Sequence, residues 1–234
     1  MKNLKLACLA KLLCVAVLAS VVGTAVVQAS TLVSTSSSTI SLTPTDWPAG
    51  ESMSFQQFDP ALGTLTAVTL DLSGSMSTVI SANNVDGSNT SSGTANAEVQ
   101  FSVQDSGLDL AVPQLSLVSP NFTYSLLPGQ SISSGTLSQT GTSSDTYTSL
   151  PVLKEFTSLV PGDPGSNSLS ASTFTLALIA VHGGNTFPTQ ATSAALTGSV
   201  TYDYIPVAVP EPSTFALLGA GVAGILACGW RRRR

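Results

Sequence analysis

Val99-Gln100-Phe101-Ser102-Val103-Gln104 alternates an apolar side chain with a polar one at every step. Successive side chains of a pleated strand point to opposite faces, so this run is a strand with Val99, Phe101 and Val103 on a core and Gln100, Ser102 and Gln104 in water. The same period runs from Leu65 to Leu70, with Leu65, Ala67 and Thr69 on one face and Thr66, Val68 and Leu70 on the other. Ser199 to Ile205 repeats it through Val200, Tyr202 and Tyr204. Phe174 to Val181 is apolar on both faces apart from Thr175, which predicts a central strand. Further strands are expected at 53–58, 76–80, 114–124, 130–139 and 146–156. Between them, 83–93, 161–167 and 182–185 are clusters of Gly, Asn, Asp and Pro, residues that favour turns. Helix signals are nearly absent from this region. The pattern predicts an all-β fold: one antiparallel, jelly-roll-like β-sandwich over residues 39–205.

Composition agrees. Serine and threonine make up about a third of the body, and charged residues are 9% of the chain. Threonine serves both β propensity and surface solubility, so a chain with few charges can stay in water. Val, Leu, Ile and Phe at alternating spacing are too many for disorder throughout, and only the Ser/Thr segment 30–38 is expected to be flexible. Of the basic residues, Lys2, Lys5, Lys11 and Arg231 to Arg234 lie at the ends, which leaves Lys154 alone in the body. Such an acidic surface has nothing to release counterions from phosphates, so nucleic acid is excluded as a partner. Cys8, Cys14 and Cys228 are also terminal. The body therefore rests on its apolar core and backbone hydrogen bonds, without disulfides.

The two ends read as addresses. Lys2 and Lys5 precede an apolar stretch that is interrupted by Lys11 and ends at Val27-Gln28-Ala29, small residues that suit a signal peptidase. Residues 1–29 are expected to be a Sec signal peptide cleaved after Ala29, with an uncleaved signal anchor as the alternative. At the other end Val209-Pro210-Glu211-Pro212-Ser213-Thr214 leads into an uncharged run, Ser213 to Trp230, followed by Arg231, Arg232, Arg233 and Arg234. Eighteen residues at 1.5 Å each make a helix about 27 Å long, just enough to span a bilayer. Arginines resist passage through lipid and favour the cytoplasmic face, so they set the topology. The two prolines hold the segment 206–212 extended as a linker open to a protease.

These last residues resemble the PEP-CTERM sorting signal of exported bacterial proteins, a Pro-Glu-Pro motif, a short transmembrane helix and a basic cluster. The resemblance implies that Val209, Pro210, Glu211 and Pro212 are substrate for an exosortase, a membrane-embedded cysteine transpeptidase. The helix 213–230 and the cluster 231–234 would hold the chain in the inner membrane during processing. An ordinary tail anchor that is never cut is the alternative. A second resemblance lies in the body. Phe55-Gln56-Gln57-Phe58-Asp59-Pro60-Ala61-Leu62-Gly63-Thr64-Leu65, running on through Val68-Thr69-Leu70, is similar to the opening of choice-of-anchor E domains, β-rich surface modules.

No catalytic set emerges. His182 is the one histidine, followed by Gly183 and Gly184, which excludes a multi-histidine metal site. Serines such as Ser73 and Ser75 lack a Gly-x-Ser-x-Gly elbow. Asp105 and Asp109 are a carboxylate pair whose use in glycoside hydrolysis depends on their separation. Asn83, Asn84, Asp86 and Asn89 offer oxygens to calcium, though Asn-Asp-Gly turns form without metal. The reading is therefore a non-enzymatic protein without cofactor or metal, exported to the surface or extracellular matrix of a Gram-negative bacterium. Its expected role is structural or adhesive in exopolysaccharide or biofilm, and its expected partners are the Sec translocon, signal peptidase, exosortase and extracellular polysaccharide. A secreted carbohydrate-active hydrolase and a calcium-dependent carbohydrate-binding module are the alternatives.

Overall fold

The computed structural model describes residues 32–47, 51–105, 114–207 and 212–231. The body, Thr31–Val207, forms one unit, and the C-terminal helix belongs to another. In the body the strands are β1 (Leu32–Pro44), β2 (Glu51–Gln56), β3 (Gly63–Asn84), β4 (Ser91–Asp105), β5 (Leu115–Val118), β6 (Phe122–Leu126), β7 (Ser131–Tyr147), β8 (Ser166–His182) and β9 (Thr186–Pro206), with a short helix α1 (Leu150–Glu155) after β7. One sheet has the order β1-β9-β3-β7, the other β2-β8-β4-β5, with β6 also paired to β4. The pairs β1·β9, β2·β8, β3·β7 and β4 with β5 and β6 are all antiparallel. This is the path of one long hairpin rolled up on itself, a jelly roll. The all-β antiparallel expectation therefore holds.

The alternation seen in the sequence builds the core. Val99, Phe101 and Val103 of β4 are buried, as are Val68, Leu70, Leu72 and Met76 of β3 and Leu196, Val200 and Tyr202 of β9. With Met53 and Phe55 of β2 and Leu169 of β8 they form one cluster between the sheets. Each such side chain contributes roughly 1.5–3 kcal/mol by leaving water. A register shift between Leu65 and Ala67 in the β3·β9 ladder lets both Leu65 and Val68 face inward. The strands expected at 65–70 and 76–80 are one continuous strand. Gly74 between them marks a close approach rather than a turn, since a Cβ there would stand 2.7 Å from Leu115 Cδ2 and 3.2 Å from Phe101 Cε2.

One end of the sandwich is plugged. The expected strand at 146–156 gives way after Tyr147 to α1, whose Pro151 suits a first turn because the N–H it lacks has no partner there. Val152, Leu153 and Phe156 turn inward. Phe58 is clasped on both sides, its N–H donating to Phe156 O (2.8 Å) and its carbonyl accepting from Ser158 N (2.9 Å). Its ring lies 4.9 Å from that of Tyr204 and 6.0 Å from that of Tyr202, and Phe156 lies 6.3 Å from Tyr202. Tyr202 donates its hydroxyl to Gln56 O at 2.7 Å. Asp59 Oδ1 accepts from the N–H of Ala61 (2.8 Å) and of Gly162 (2.9 Å), tying this corner to the loop before β8.

The opposite end is tied by Asn84, which is fully buried. Its Nδ2 donates to Asn89 O (2.9 Å) and Leu127 O (3.3 Å), and its Oδ1 accepts from Asp86 N (3.2 Å) and Asn185 N (3.3 Å). One side chain thus joins three loops.

Four expectations change. The segment 30–38, expected to be flexible, lies from Leu32 onward in β1, where it pairs with β9. The strand at 114–124 is broken at Ser119-Pro120-Asn121 into β5 and β6, and the one at 130–139 continues to Tyr147. Phe174–Val181 is not central: the pairing with β2 stops at Ala171, and beyond it, among the described residues, β4 is the one strand paired with β8. Phe174 is 58% exposed and Leu178 50%.

Candidate functional site

The outer face of the four-stranded sheet is tiled with hydroxyls. Strand register lines up Thr35, Thr201, Thr69 and Thr146 in one row across the sheet. The next row is Ser37, Ser199, Asp71 and Ser144, and the third is Thr39, Thr197, Ser73 and Thr142. Strands spaced about 4.8 Å apart, with same-face residues about 7 Å apart along each, place these groups on a regular grid. Neighbours touch along it: Thr69 Oγ1 lies 2.9 Å from Thr146 Oγ1, and Thr39 Oγ1 lies 3.2 Å from Thr197 Oγ1. A depression of about 340 Å³ crosses the second and third rows, lined by Asp71, Ser73, Thr142, Ser144, Thr197 and Ser199. Within these three rows the surface donates and accepts hydrogen bonds without charge apart from the carboxylate of Asp71, and Asp203 stands on the same face in the row beyond Thr201. Each such contact is weak, since a hydroxyl bound to a partner is a hydroxyl taken from water.

The residues singled out as acids, histidine or calcium ligands lie outside these rows, and those that meet are engaged with one another. His182 ends β8 and is exposed. Asp109 lies outside the described residues. Asp105 instead faces Glu155 of α1, a pairing that sequence spacing did not indicate. Burial, then a hydrogen bond and the negative charge of Asp105, push the Glu155 carboxyl up to about 7. Hydrogen-bonded carboxyls stand closer than the roughly 5 Å or more that separates the two acids of a glycosidase. Of the oxygens considered for calcium, Asn84 holds the three loops, and Asp86 accepts from Ser88 N (2.7 Å), Asn89 N (3.0 Å) and Asn89 Nδ2 (3.1 Å). These bonds, the Asn89 side chain first, hold the Asp86 carboxyl below its ordinary range. Among the described residues no three His, Cys, Asp or Glu side chains gather as metal ligands would. Trp47 is buried against Phe101, ring centroids 5.9 Å apart, and offers no platform to a sugar.

At the C-terminus, Pro212–Arg231 is a helix, α2. Pro212 opens it and Arg231 stands in its last turn, where a cation suits the helix dipole. Leu218, Val222, Ile225 and Trp230 are exposed on it. Ala29, Val209, Pro210, Glu211, Arg232, Arg233 and Arg234 lie outside the described residues, as do the side chains of 212–217 and 226–228. Among the described residues no helix is long and apolar enough to cross a membrane.

No curated protein matches the chain. Solved structures overlap it weakly. A mud crab dicistrovirus structure shares 10% identity over 79% of this chain and 76% of its own, with a TM-score of 0.22. The STIV MCP shares 13% over 75% and 49%, at 0.23. The Cry23Aa1 and Cry37Aa1 binary protein complex shares 12% over 74% and 80%, at 0.23. Scores at this level do not establish a common fold. A family model does match at one place, and it is the place that the Pro-Glu-Pro segment and the terminal arginines marked: residues 208–234 carry the PEP-CTERM protein-sorting motif, which implies export and exosortase-dependent sorting to the cell surface in a Gram-negative bacterium.

Proposed function

We propose that the chain is a non-enzymatic component of the bacterial surface or extracellular matrix, whose body meets exopolysaccharide through the hydroxyl rows of its four-stranded sheet. The sorting motif at 208–234 carries this reading, because it sends the body to the compartment where such polymers are found. In this reading a Sec signal peptide ends at Ala29, and residues 213–230 span the inner membrane with Arg231 to Arg234 inside. The exosortase then cuts near Val209-Pro210-Glu211-Pro212. The body is a choice-of-anchor E-like module. The grid of Ser and Thr suits a neutral polymer of hydroxyls, which can exchange hydrogen bonds along several rows at once while no single contact is strong.

Mass spectrometry of the mature protein from its host tests the sorting step. The expected C-terminus lies near Pro212 in the wild type, and a terminus still at Arg234 overturns the reading. Co-sedimentation of the mature protein with the host's exopolysaccharide tests the face: Ser73→Leu with Thr197→Leu should weaken it at least about tenfold. Undiminished binding by that variant would remove the sheet face from the proposal.

A further inference from the structure

We propose that the free edge of β8, residues 176–182, takes a second copy of this chain by antiparallel strand pairing about a two-fold axis at Ile179. The edge is defined by what closes the rest of it. Up to Ala171 it is covered by β2. Past that point Thr173 Oγ1 accepts from Asp46 N (2.9 Å) and Trp47 N (3.2 Å), and Asp46 Oδ1 accepts from Thr175 N (3.1 Å). Beyond Thr175, among the described residues, no strand pairs this side. Because Thr175 N–H points outward, the period of two puts the N–H and C=O of Ala177, Ile179 and Val181 on the same open edge.

Exposed edges are ordinarily blunted by charge, proline, bulges or shortness. Several other edges are guarded: β7 is mostly Ser, Thr, Gly and Gln, with a register shift against β3 and Asp145 near its end, β5 and β6 have 4 and 5 residues, and the open stretch of β9 contains Pro188. β8 from Phe174 to Val181 has no charge and no proline, and is made of Leu, Ile, Val, Ala, Phe and Thr. An unpaired backbone edge is covered by a strand, and charge decides whose. With the axis at Ile179, Ala177 meets Val181 on one face, while Leu178 meets Ala180 on the other, so apolar groups face apolar groups. The nearest acid on the neighbouring strand, Glu98, is opposite Leu176 and accepts from Gln100 Nε2 (2.9 Å) and Ser116 Oγ (2.7 Å). Across the axis the two copies of Glu98 would be three strand spacings apart sideways and six residues apart along the strands, roughly 25 Å in all, and screened. Asp46 and His182 lie at opposite ends of the open run. Such an interface is isologous, so it stops at two copies. It is independent of the polysaccharide reading.

Light scattering of the full chain in detergent, over a range reaching about 100 µM, tests this directly. The wild type should form a dimer, and Leu178→Lys should raise its dissociation constant at least about tenfold without changing the unfolding midpoint. In a background with Cys8, Cys14 and Cys228 replaced by Ser, Ile179→Cys should form an intermolecular disulfide and Ser138→Cys, on β7, should not. A wild type that stays monomeric throughout overturns the proposal. So does a dimer unchanged by Leu178→Lys, or equal cross-linking from both cysteines.

Discussion

The two ends of the sandwich are made from the same apolar residue types and finish differently. At one end Phe58, Phe156, Tyr202 and Tyr204 stack under α1, and Phe156 is fully buried. At the other, Phe174 and Leu178 stand in solvent on β8. The cause is which side of the sheet they take: Leu169, Ala171 and Thr173 alternate into the core, so Phe174 and Leu178 fall on the outer face of β8, where the described residues place no second layer. Hydrophobic sequence makes a strand, but a core needs a second layer over the face that carries it.

The largest effect should separate these ends. Phe156→Ala is expected to cost about 3–5 kcal/mol in urea unfolding, whereas Leu178→Ala should stay within about 0.5 kcal/mol. Equal costs would mean that the second end is covered after all. Next, Asn84→Ala leaves the N–H groups of Asp86 and Asn185 and the carbonyls of Asn89 and Leu127 without this partner. A loss of about 2–3 kcal/mol is expected, with faster amide exchange confined to those loops. Slower or unchanged exchange there would show that Asn84 is not what holds the far end.

The smallest effect is in pH. Glu155 titrates near 4.5 when unfolded and at about 7 in the folded protein, so the folded state binds more protons between those values. The contribution of Glu155 to stability should be greatest below about 4.5, fall as pH rises through 7, and then level off. Allowing for the water that reaches this half-buried group, the fall is about 1–2 kcal/mol. Glu155→Gln should flatten it. An unchanged slope in that variant would assign the pH dependence to another group.

Much of the architecture was legible because period two depends on neighbours in the chain: 99–104 is a strand of the expected faces, and 65–70 is a strand in which a register shift turns Leu65 to the same side as Val68 and Leu70. β1 was hidden for a physical reason. Its positions Ser36 and Ser38 face the seam with β2 rather than the core, and their hydroxyls accept from Gln56 N (2.9 Å) and Ser54 N (3.1 Å). Polar side chains at a seam look like a linker. The helix α1 was too short to show a 3.6-residue period. The exposure of 174–181 was not legible, since composition does not reveal which face a second layer covers. The hydroxyl rows lay between these cases. Ser73, Ser75 and Ser77 alternate visibly along β3, but joining them to Thr197 and Thr142 requires register between distant segments.

Leu32 pairs with Tyr204, so the body begins and ends at the same end, and the tail leaves from β9 between β1 and β3. A pull on that tail against a body held elsewhere acts along the strand axis. The load falls on both flanking ladders in shear, with many bonds strained together instead of peeled one by one. A domain tethered this way should resist flow and traction far better than its modest thermodynamic stability alone would suggest.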